Sequence, residues 1–189
     1  RKETMYAENG MRLLLDIEKV YFSPRLGNER ARIANLVKPD ENVLIMFSGC
    51  GPYTIQIAKK VNKVTAIEVN PAAHKYALKN LILNKIKNAT VLKGDVNKIT
   101  PKLKEKFDRI VMPLPKTAKD FLKQAILVSK KGTIVHFYTF AKEDEFDEVK
   151  KGLINECKKL KKNIKILNIV KAGEYAPRVQ RICVDFLIQ

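Results

Sequence analysis

From Asn42 to Phe140 short apolar runs alternate with segments of helical spacing, and that alternation constrains the fold more than any other feature. The apolar runs are Asn42–Phe47, Val64–Val69, Ala89–Leu92, Phe107–Met112 and Thr133–Phe140. Each has the length of a strand buried on both faces. Between them, Tyr53–Lys60, Ala72–Asn84 and Thr117–Ser129 carry apolar residues at helical intervals, with Thr117 a candidate N-cap and Lys131-Gly132 a break. Strands that alternate with helices over short connections pair in parallel, take helices on both faces and cross over right-handed. The expected class is therefore α/β and Rossmann-like.

Beyond residue 140 the pattern changes. Glu145–Leu160 is predicted as an amphipathic helix, and Ile164–Val170 and Val179–Ile188 as two strands joined by a loop holding Gly173, Tyr175 and Pro177. This ending predicts a mostly parallel sheet with a C-terminal antiparallel strand. Residues 1–38 stand apart. Met11–Ile17 alternates like a strand, Val20–Phe22 continues apolar, and Asn28–Val37 has helical spacing with Ile33, Leu36 and Val37 inward. They are expected to end a middle domain and supply a connecting helix, with 39–189 forming the main domain.

Thirty-seven basic residues against twenty acidic ones give a formal charge of +17. So basic a surface attracts polyanions, nucleic acid first and an anionic membrane second, although a lysine-rich proteome would produce the same count. No apolar run reaches the roughly 20 residues that span a bilayer. Cys50, Cys157 and Cys183 are far apart, form no CxxC pair, and are accompanied by only two histidines, His74 and His136. No metal is expected, and the thiols read as reduced, semi-buried residues of a cytoplasmic protein.

Open α/β sheets bind ligands at the carboxyl ends of their strands. There the chain places Ser48-Gly49-Cys50-Gly51-Pro52-Tyr53 after the first run, Glu68-Val69 at the end of the second and Asp95-Val96 after the third. Glycines admit a ligand close to backbone, Glu68 can accept ribose hydroxyls, and Asp95 can accept from an adenine amino group. One such feature is a common turn, but three in succession point to an adenosyl cofactor. After the fourth run, Pro113-Leu114-Pro115-Lys116 forms an extended loop suited to gripping a planar substrate, or simply a rigid connection. Tyr21-Phe22-Ser23-Pro24-Arg25-Leu26-Gly27-Asn28-Glu29-Arg30 gathers two aromatics, two arginines and a glutamate. It can line an adenosyl or base pocket with Glu29 as a base. Alternatively Asn28 caps a helix and Glu29 complements its dipole.

Glu8-Asn9-Gly10, Val20–Gly27 with Glu29-Arg30, Phe47–Tyr53, Glu68-Val69-Asn70-Pro71, Leu114-Pro115-Lys116 and Tyr175-Ala176-Pro177-Arg178 together resemble the archaeal and eukaryotic tRNA methyltransferases that act on N1 of guanosine 37. The resemblance covers nearly the whole chain and is most specific at Ser23-Pro24-Arg25-Leu26. It implies a class I methyltransferase fold and S-adenosylmethionine as cofactor, with Glu29 as general base. It also implies cofactor contacts from Tyr21, Phe22, Arg25, Arg30, Ser48, Gly49, Gly51, Tyr53, Glu68, Val69, Asp95, Val96 and Pro113. Pro113, Pro115, Lys116, Tyr175, Pro177 and Arg178 would meet tRNA. A cytoplasmic monomer is expected, without the N-terminal domain that reads the tRNA elbow. Two positions depart from the family pattern. Pro113 stands where the family commonly has asparagine, removing two donors and an acceptor. It fits an archaeal branch that also methylates carbon 7 of 4-demethylwyosine, a wyosine precursor. Ile45 stands where relatives often carry aspartate. The competing readings are an aminocarboxypropyltransferase of the wyosine pathway using the same cofactor, and a basic RNA-binding module without catalysis.

Overall fold

The computed structural model describes residues 2–114 and 116–189. It comprises two units, Arg1–Ile99 and Thr100–Gln189.

The first unit opens with a hairpin, β1 (Glu3–Glu8) against β2 (Met11–Asp16), with Glu8 opposite Met11. Sequence periodicity predicts only the second of these strands. Asn9 and Gly10 turn the chain with φ of +45° and +72°, the left-handed pair that a two-residue hairpin needs. That Asn-Gly signal, flanked by alternating residues, reveals the missing strand. β2 buries Met11, Leu13 and Leu15 on one face.

Three parallel strands follow, β3 (Asn42–Met46), β4 (Lys63–Glu68) and β5 (Ala89–Lys93), in the order β5-β4-β3. Val43 to Met46 are all buried, as expected of a strand covered on both faces. Ile45 is wholly buried among them, so no carboxylate stands at that position. The helices are α1 (Gly27–Leu36), α2 (Pro52–Ala58), α3 (Pro71–Leu83) and the single turn α4 (Val96–Ile99). α1 starts one residue before Asn28, with Leu26 at the cap position and no side-chain cap, so Asn28 does not cap it.

α3 does more than cover the sheet. Asn80 lies near its last turn and Asn84 is its C-cap, four residues on and so on the same face. Asn80 accepts from Leu14 N at 2.7 Å and donates to Leu14 O at 3.0 Å, while Asn84 does the same with Arg12 at 2.9 and 2.6 Å. Two side-chain amides thus take the place of a third strand along β2. The N–H and C=O groups they satisfy would otherwise be exposed or unpaired edge groups.

The second unit pairs β6 (Phe107–Met112) in parallel with β7 (Ser129–Ala141). β9 (Val179–Ile188) lies antiparallel to β7, and β8 (Ile164–Ala176) antiparallel to β9, giving the order β6-β7-β9-β8. The strands are thus parallel until the final antiparallel pair, as the sequence predicts. Three local expectations are corrected. The segment predicted as one helix from Thr117 is a 3-10 turn, Ala118–Phe121, followed by α5 (Leu122–Leu127), and Thr117 makes no capping bond. Lys131-Gly132 lies inside β7: the Thr133 hydroxyl donates to Phe107 O and accepts from Lys130 N, holding an irregularity in the ladder. Gly173 and Tyr175 belong to β8 itself, leaving only Pro177-Arg178 as the turn, with Arg178 at φ +64°. α6 (Phe146–Lys159) precedes this hairpin. Among the described residues no helix is long and apolar enough to cross a membrane.

Candidate functional site

In the first unit, the ends of β3, β4 and β5 converge as the sequence pattern predicts. β3 gives way at Phe47 and the chain turns through Gly49 and Gly51, at φ +58° and +94°. These are conformations that favour glycine. A side chain at Gly51 would also press on Ala77 of α3, 3.7 Å away. Ser48 N donates to Ile67 O at 2.8 Å, tying the turn to β4, and the Ser48 and Thr54 hydroxyls share a hydrogen bond of 3.0 Å.

Glu68 organises this edge. One carboxylate oxygen accepts from Gly49 N at 2.6 Å and the other from Asn70 N at 2.7 Å, so the side chain braces the glycine turn and the start of α3 together. A carboxylate offers about four lone pairs, and these bonds leave acceptor capacity on both oxygens. The neighbouring strand is joined to it directly: Gly94 N donates to Glu68 O at 2.9 Å. Asp95 follows, half-exposed, with one oxygen accepting from Asn97 N at 2.8 Å. Gly49, Glu68 and Asp95 therefore share one rim. Tyr53 and Val96 are buried behind it, and Val69 is exposed on it. Cys50 is fully buried, and burial pushes its thiol up to about 12. The three cysteines are buried outright rather than semi-buried.

The Tyr21–Arg30 segment borders the same rim. Tyr21 is exposed, and its carbonyl lies 4.0 Å from where a Gly49 side chain would begin. Asn70 donates to Lys19 O at 2.9 Å, fastening the segment's approach to the end of β4. A hollow of about 300 Å³ opens here between Tyr6, Leu15, Val20, Tyr21, Phe22 and Pro24. Arg25 is exposed on the 3-10 turn that leads into α1.

Arg30 points inward. It is 2% exposed, donates twice to Glu8 at 2.5 and 2.6 Å and twice to Ser23 O at 3.1 Å, and sits 4.8 Å from the Phe22 ring centre. Gln56 adds a third donor to Glu8 at 2.9 Å. Arg30 and Glu8 thus hold the loop in shape. Glu8 belongs to a motif quoted from sequence, yet its role was invisible there because its partner is 22 residues away. Glu29 is buried on the first turn of α1, where Arg32 grips both its oxygens at 2.8 and 2.7 Å.

The second unit carries its own edge. β6 ends at Met112, and Leu114 N closes back on Met112 O at 2.8 Å, leaving Pro113 and Leu114 half-buried. Pro115 lies outside the described residues. Lys116, Tyr175, Pro177 and Arg178 are exposed. The Lys116 ammonium stands 6.0 Å from the Tyr175 ring centre, Tyr175 stacks on Phe140 at 4.0 Å, and the Arg181 guanidinium lies 5.5 Å from Phe140. Phe140 and Arg181 were missed by sequence reasoning. They meet because they are opposed across β7 and β9, a register that local pattern does not reveal.

Deeper in this unit His136, Cys183 and Asp185 lie within 4.8 Å of one another, the group of metal-capable side chains found among the described residues. His136 Nδ1 is 2.6 Å from Asp185, and Nε2 faces Arg109 at 2.8 Å. A guanidinium only donates, so Nε2 accepts and Nδ1 carries the proton given to Asp185. The positive guanidinium on Nε2 disfavours a cation there.

An α/β unit whose successive parallel strands present glycines, a glutamate and an aspartate on one rim has the architecture of a nucleoside-cofactor-binding enzyme. Residues 4–167 match the TRM5/TYW2 methyltransferase domain, and the chain belongs to that family. It is 40% identical to tRNA (guanine(37)-N(1))-methyltransferase Trm5b of Pyrococcus abyssi over 98% of this chain and 56% of that protein. The structure of an aTrm5 in complex with tRNALeu superposes with a TM-score of 0.88 at 37% identity, covering all of this chain and 54% of that one. The AdoMet complex of Methanocaldococcus jannaschii TYW2 gives a TM-score of 0.90 at 28% identity, covering all of this chain and 88% of that one. The chain spans about half the length of the curated relatives it matches first.

Proposed function

We propose that this chain carries the catalytic part of a tRNA methyltransferase that moves a methyl group from S-adenosylmethionine to N1 of guanosine 37. The observation that carries this reading is the 40% identity, over 98% of the chain, to a relative named for that reaction. Identity to relatives of the TYW2 and aminocarboxypropyltransferase branch is lower, at 28% to 31%. A solved relative holds AdoMet and another holds tRNALeu, which supports the same cofactor and partner here.

The residues present fit such a cofactor. Glu68 retains lone pairs for ribose hydroxyls after bracing Gly49 and Asn70. Asp95 is half-exposed with an oxygen to spare for an adenine amino group, and the left-handed glycines keep the turn free of side chains. When bound, S-adenosylmethionine supplies an electrophilic methyl on a sulfonium. The guanine of the tRNA would supply the nucleophile, its N1, which forms the new bond to the methyl group as the sulfur leaves as a neutral thioether. The protein supplies the base and the positioning. Glu29 takes the N1 proton of the guanine, with Arg32 holding its carboxylate in one orientation until substrate enters. Glu8 and Arg30 keep the Tyr21–Arg30 segment folded against the rim, and Tyr21, Phe22 and Arg25 border the cofactor. Pro113, Pro115, Lys116, Tyr175, Pro177 and Arg178 meet the RNA. The protein works as a cytoplasmic monomer.

Pro113, in place of the usual asparagine, favours a second substrate: carbon 7 of 4-demethylwyosine at the same tRNA position. The test is mass spectrometry of nucleosides from tRNA carrying guanosine or the wyosine precursor, after incubation with protein and S-adenosylmethionine. One added methyl on guanosine supports the main reading, and one on the precursor supports the second. An aminocarboxypropyl adduct would transfer the chain to the other chemistry of the family. Absence of saturable S-adenosylmethionine binding by calorimetry would leave an RNA-binding module.

A further inference from the structure

The ladder Lys116–Tyr175–Phe140–Arg181 is built as a surface feature. Tyr175 is 52% exposed although it sits within strand β8. Its neighbours Glu174 and Ala176 pair with Gln180 and Val179, and Tyr175 is the extra residue at the irregularity between them, held on both sides by paired strand. Phe140 lies flat beneath it, with ring centres 4.0 Å apart and planes inclined by 26°. Arg181 stands against Phe140 at 5.5 Å, and Lys116 reaches toward Tyr175 at 6.0 Å. The turn beyond Tyr175 adds another cation, the exposed Arg178.

A stacked pair of rings with a solvent-facing outer ring and cations around it presents a π-face and positive charge together. An unpaired nucleobase of RNA matches both: its ring stacks on an aromatic face and its phosphate meets an ammonium or guanidinium. An acidic peptide would use the charges and leave the rings uncovered. A membrane surface would need several exposed aliphatic residues, and the exposed groups here are aromatic and charged.

We propose that Tyr175, supported by Phe140, is a stacking platform for one unpaired base of the anticodon loop, with Lys116 and Arg178 on the adjoining phosphates. This rests on the tRNA reading above and specifies how that RNA is gripped. The platform is sequence-tolerant, because every base has a π-face. It is ready before RNA arrives, because Arg181 already stands against the lower ring, Phe140, and the paired residues on either side of Tyr175 hold the upper one.

The test uses the full chain and tRNA transcripts carrying 2-aminopurine singly at each unpaired anticodon-loop position. Fluorescence at one position is expected to be quenched on binding. Tyr175→Leu should abolish that quenching and weaken tRNA binding about tenfold, Phe140→Leu should weaken it by a smaller factor, and Tyr175→Trp should preserve both. Cofactor affinity should stay at the wild-type value in all three. Quenching that survives Tyr175→Leu, with affinity within twofold of wild type, overturns the proposal. Should Tyr175→Leu fail to fold, 4-thiouridine crosslinking to the wild-type protein decides. Crosslinks mapped to Tyr175 support the platform, and crosslinks confined elsewhere overturn it. The two readings fail separately. Wild-type protein that quenches but transfers no methyl group removes the enzymatic reading and leaves the platform, whereas wild-type protein that methylates while Tyr175→Leu behaves identically removes the platform alone.

Discussion

The two edges are built in opposite ways. The rim of the first unit is closed upon itself: Glu68 already binds two backbone N–H groups, Asp95 one, and Arg30 is spent on Glu8 and Ser23. The edge of the second unit is open, with Lys116, Tyr175 and Arg178 facing solvent. A small uncharged-ribose ligand is recognised by acceptors held in place beforehand, which costs exposed surface but little reorganisation. A polyanion is recognised by exposed cations and stacking faces, which need reach more than rigidity. The comparison teaches where mutation should hurt and how: abruptly and in chemistry or folding on the first edge, gradually and in affinity on the second.

The largest effect expected is at Glu29. Glu29→Gln keeps the shape but removes the proton acceptor, and single-turnover methyl transfer should fall by about a hundredfold to ten-thousandfold with cofactor affinity retained. An unchanged rate would take Glu29 out of the reaction. Next comes Asn80, which is wholly buried and serves Leu14 on β2 and Cys50 O on the glycine turn. Asn80→Leu leaves those groups unpaired and should cost about 3 kcal/mol in denaturant unfolding. A cost below about 1 kcal/mol would show that the hairpin holds without its amide partner. Glu68→Ala should weaken S-adenosylmethionine binding about tenfold to a hundredfold by calorimetry, since it removes a charged acceptor and unties Gly49. Full affinity in that variant would detach β4 from the cofactor.

The second edge should respond more gently. tRNA affinity should fall linearly on a log–log plot as salt rises, and Arg178→Ala should reduce the slope by about one phosphate contact. A flat salt response would contradict a polyanion surface. The smallest effect concerns the thiols. Burial pushes Cys50 up to about 12 and Cys157 up to about 11 from an ordinary 9.0, so both stay protonated in the folded chain at pH 8.5 and should resist alkylation until unfolded. Because these thiols ionise more easily in the unfolded chain, their contribution to stability is complete below about pH 9 and is lost as pH rises toward their folded values. Rapid labelling of Cys50 in native protein would mean that the glycine turn opens.

Strand placement and the rim were legible in the amino-acid order, because strand and turn preferences act between near neighbours. An apolar run ending in Ser48-Gly49-Cys50-Gly51 announces a strand that stops at a sharp turn whatever the rest of the chain does. The same local logic, applied to Asn9-Gly10, would have yielded β1. It misled at Thr117, where helical spacing continued but the backbone took a 3-10 turn, and at Lys131-Gly132, where a side-chain hydroxyl from Thr133 carries the strand through residues that ordinarily break one.

Only the tertiary structure decided which polar groups meet. Asn80 finds Leu14 across 66 residues, His136 finds Asp185 across 49, and Arg30 finds Glu8 across 22. Each pair depends on the register and packing of separate elements, and a shift by one strand position would turn the partners to opposite faces. Sequence therefore determined most of the strands and which residues reach the rim. Folding determined which of them are free to meet a ligand and which are consumed in holding the others still, because hydrogen-bonding capacity is allotted by distance in space.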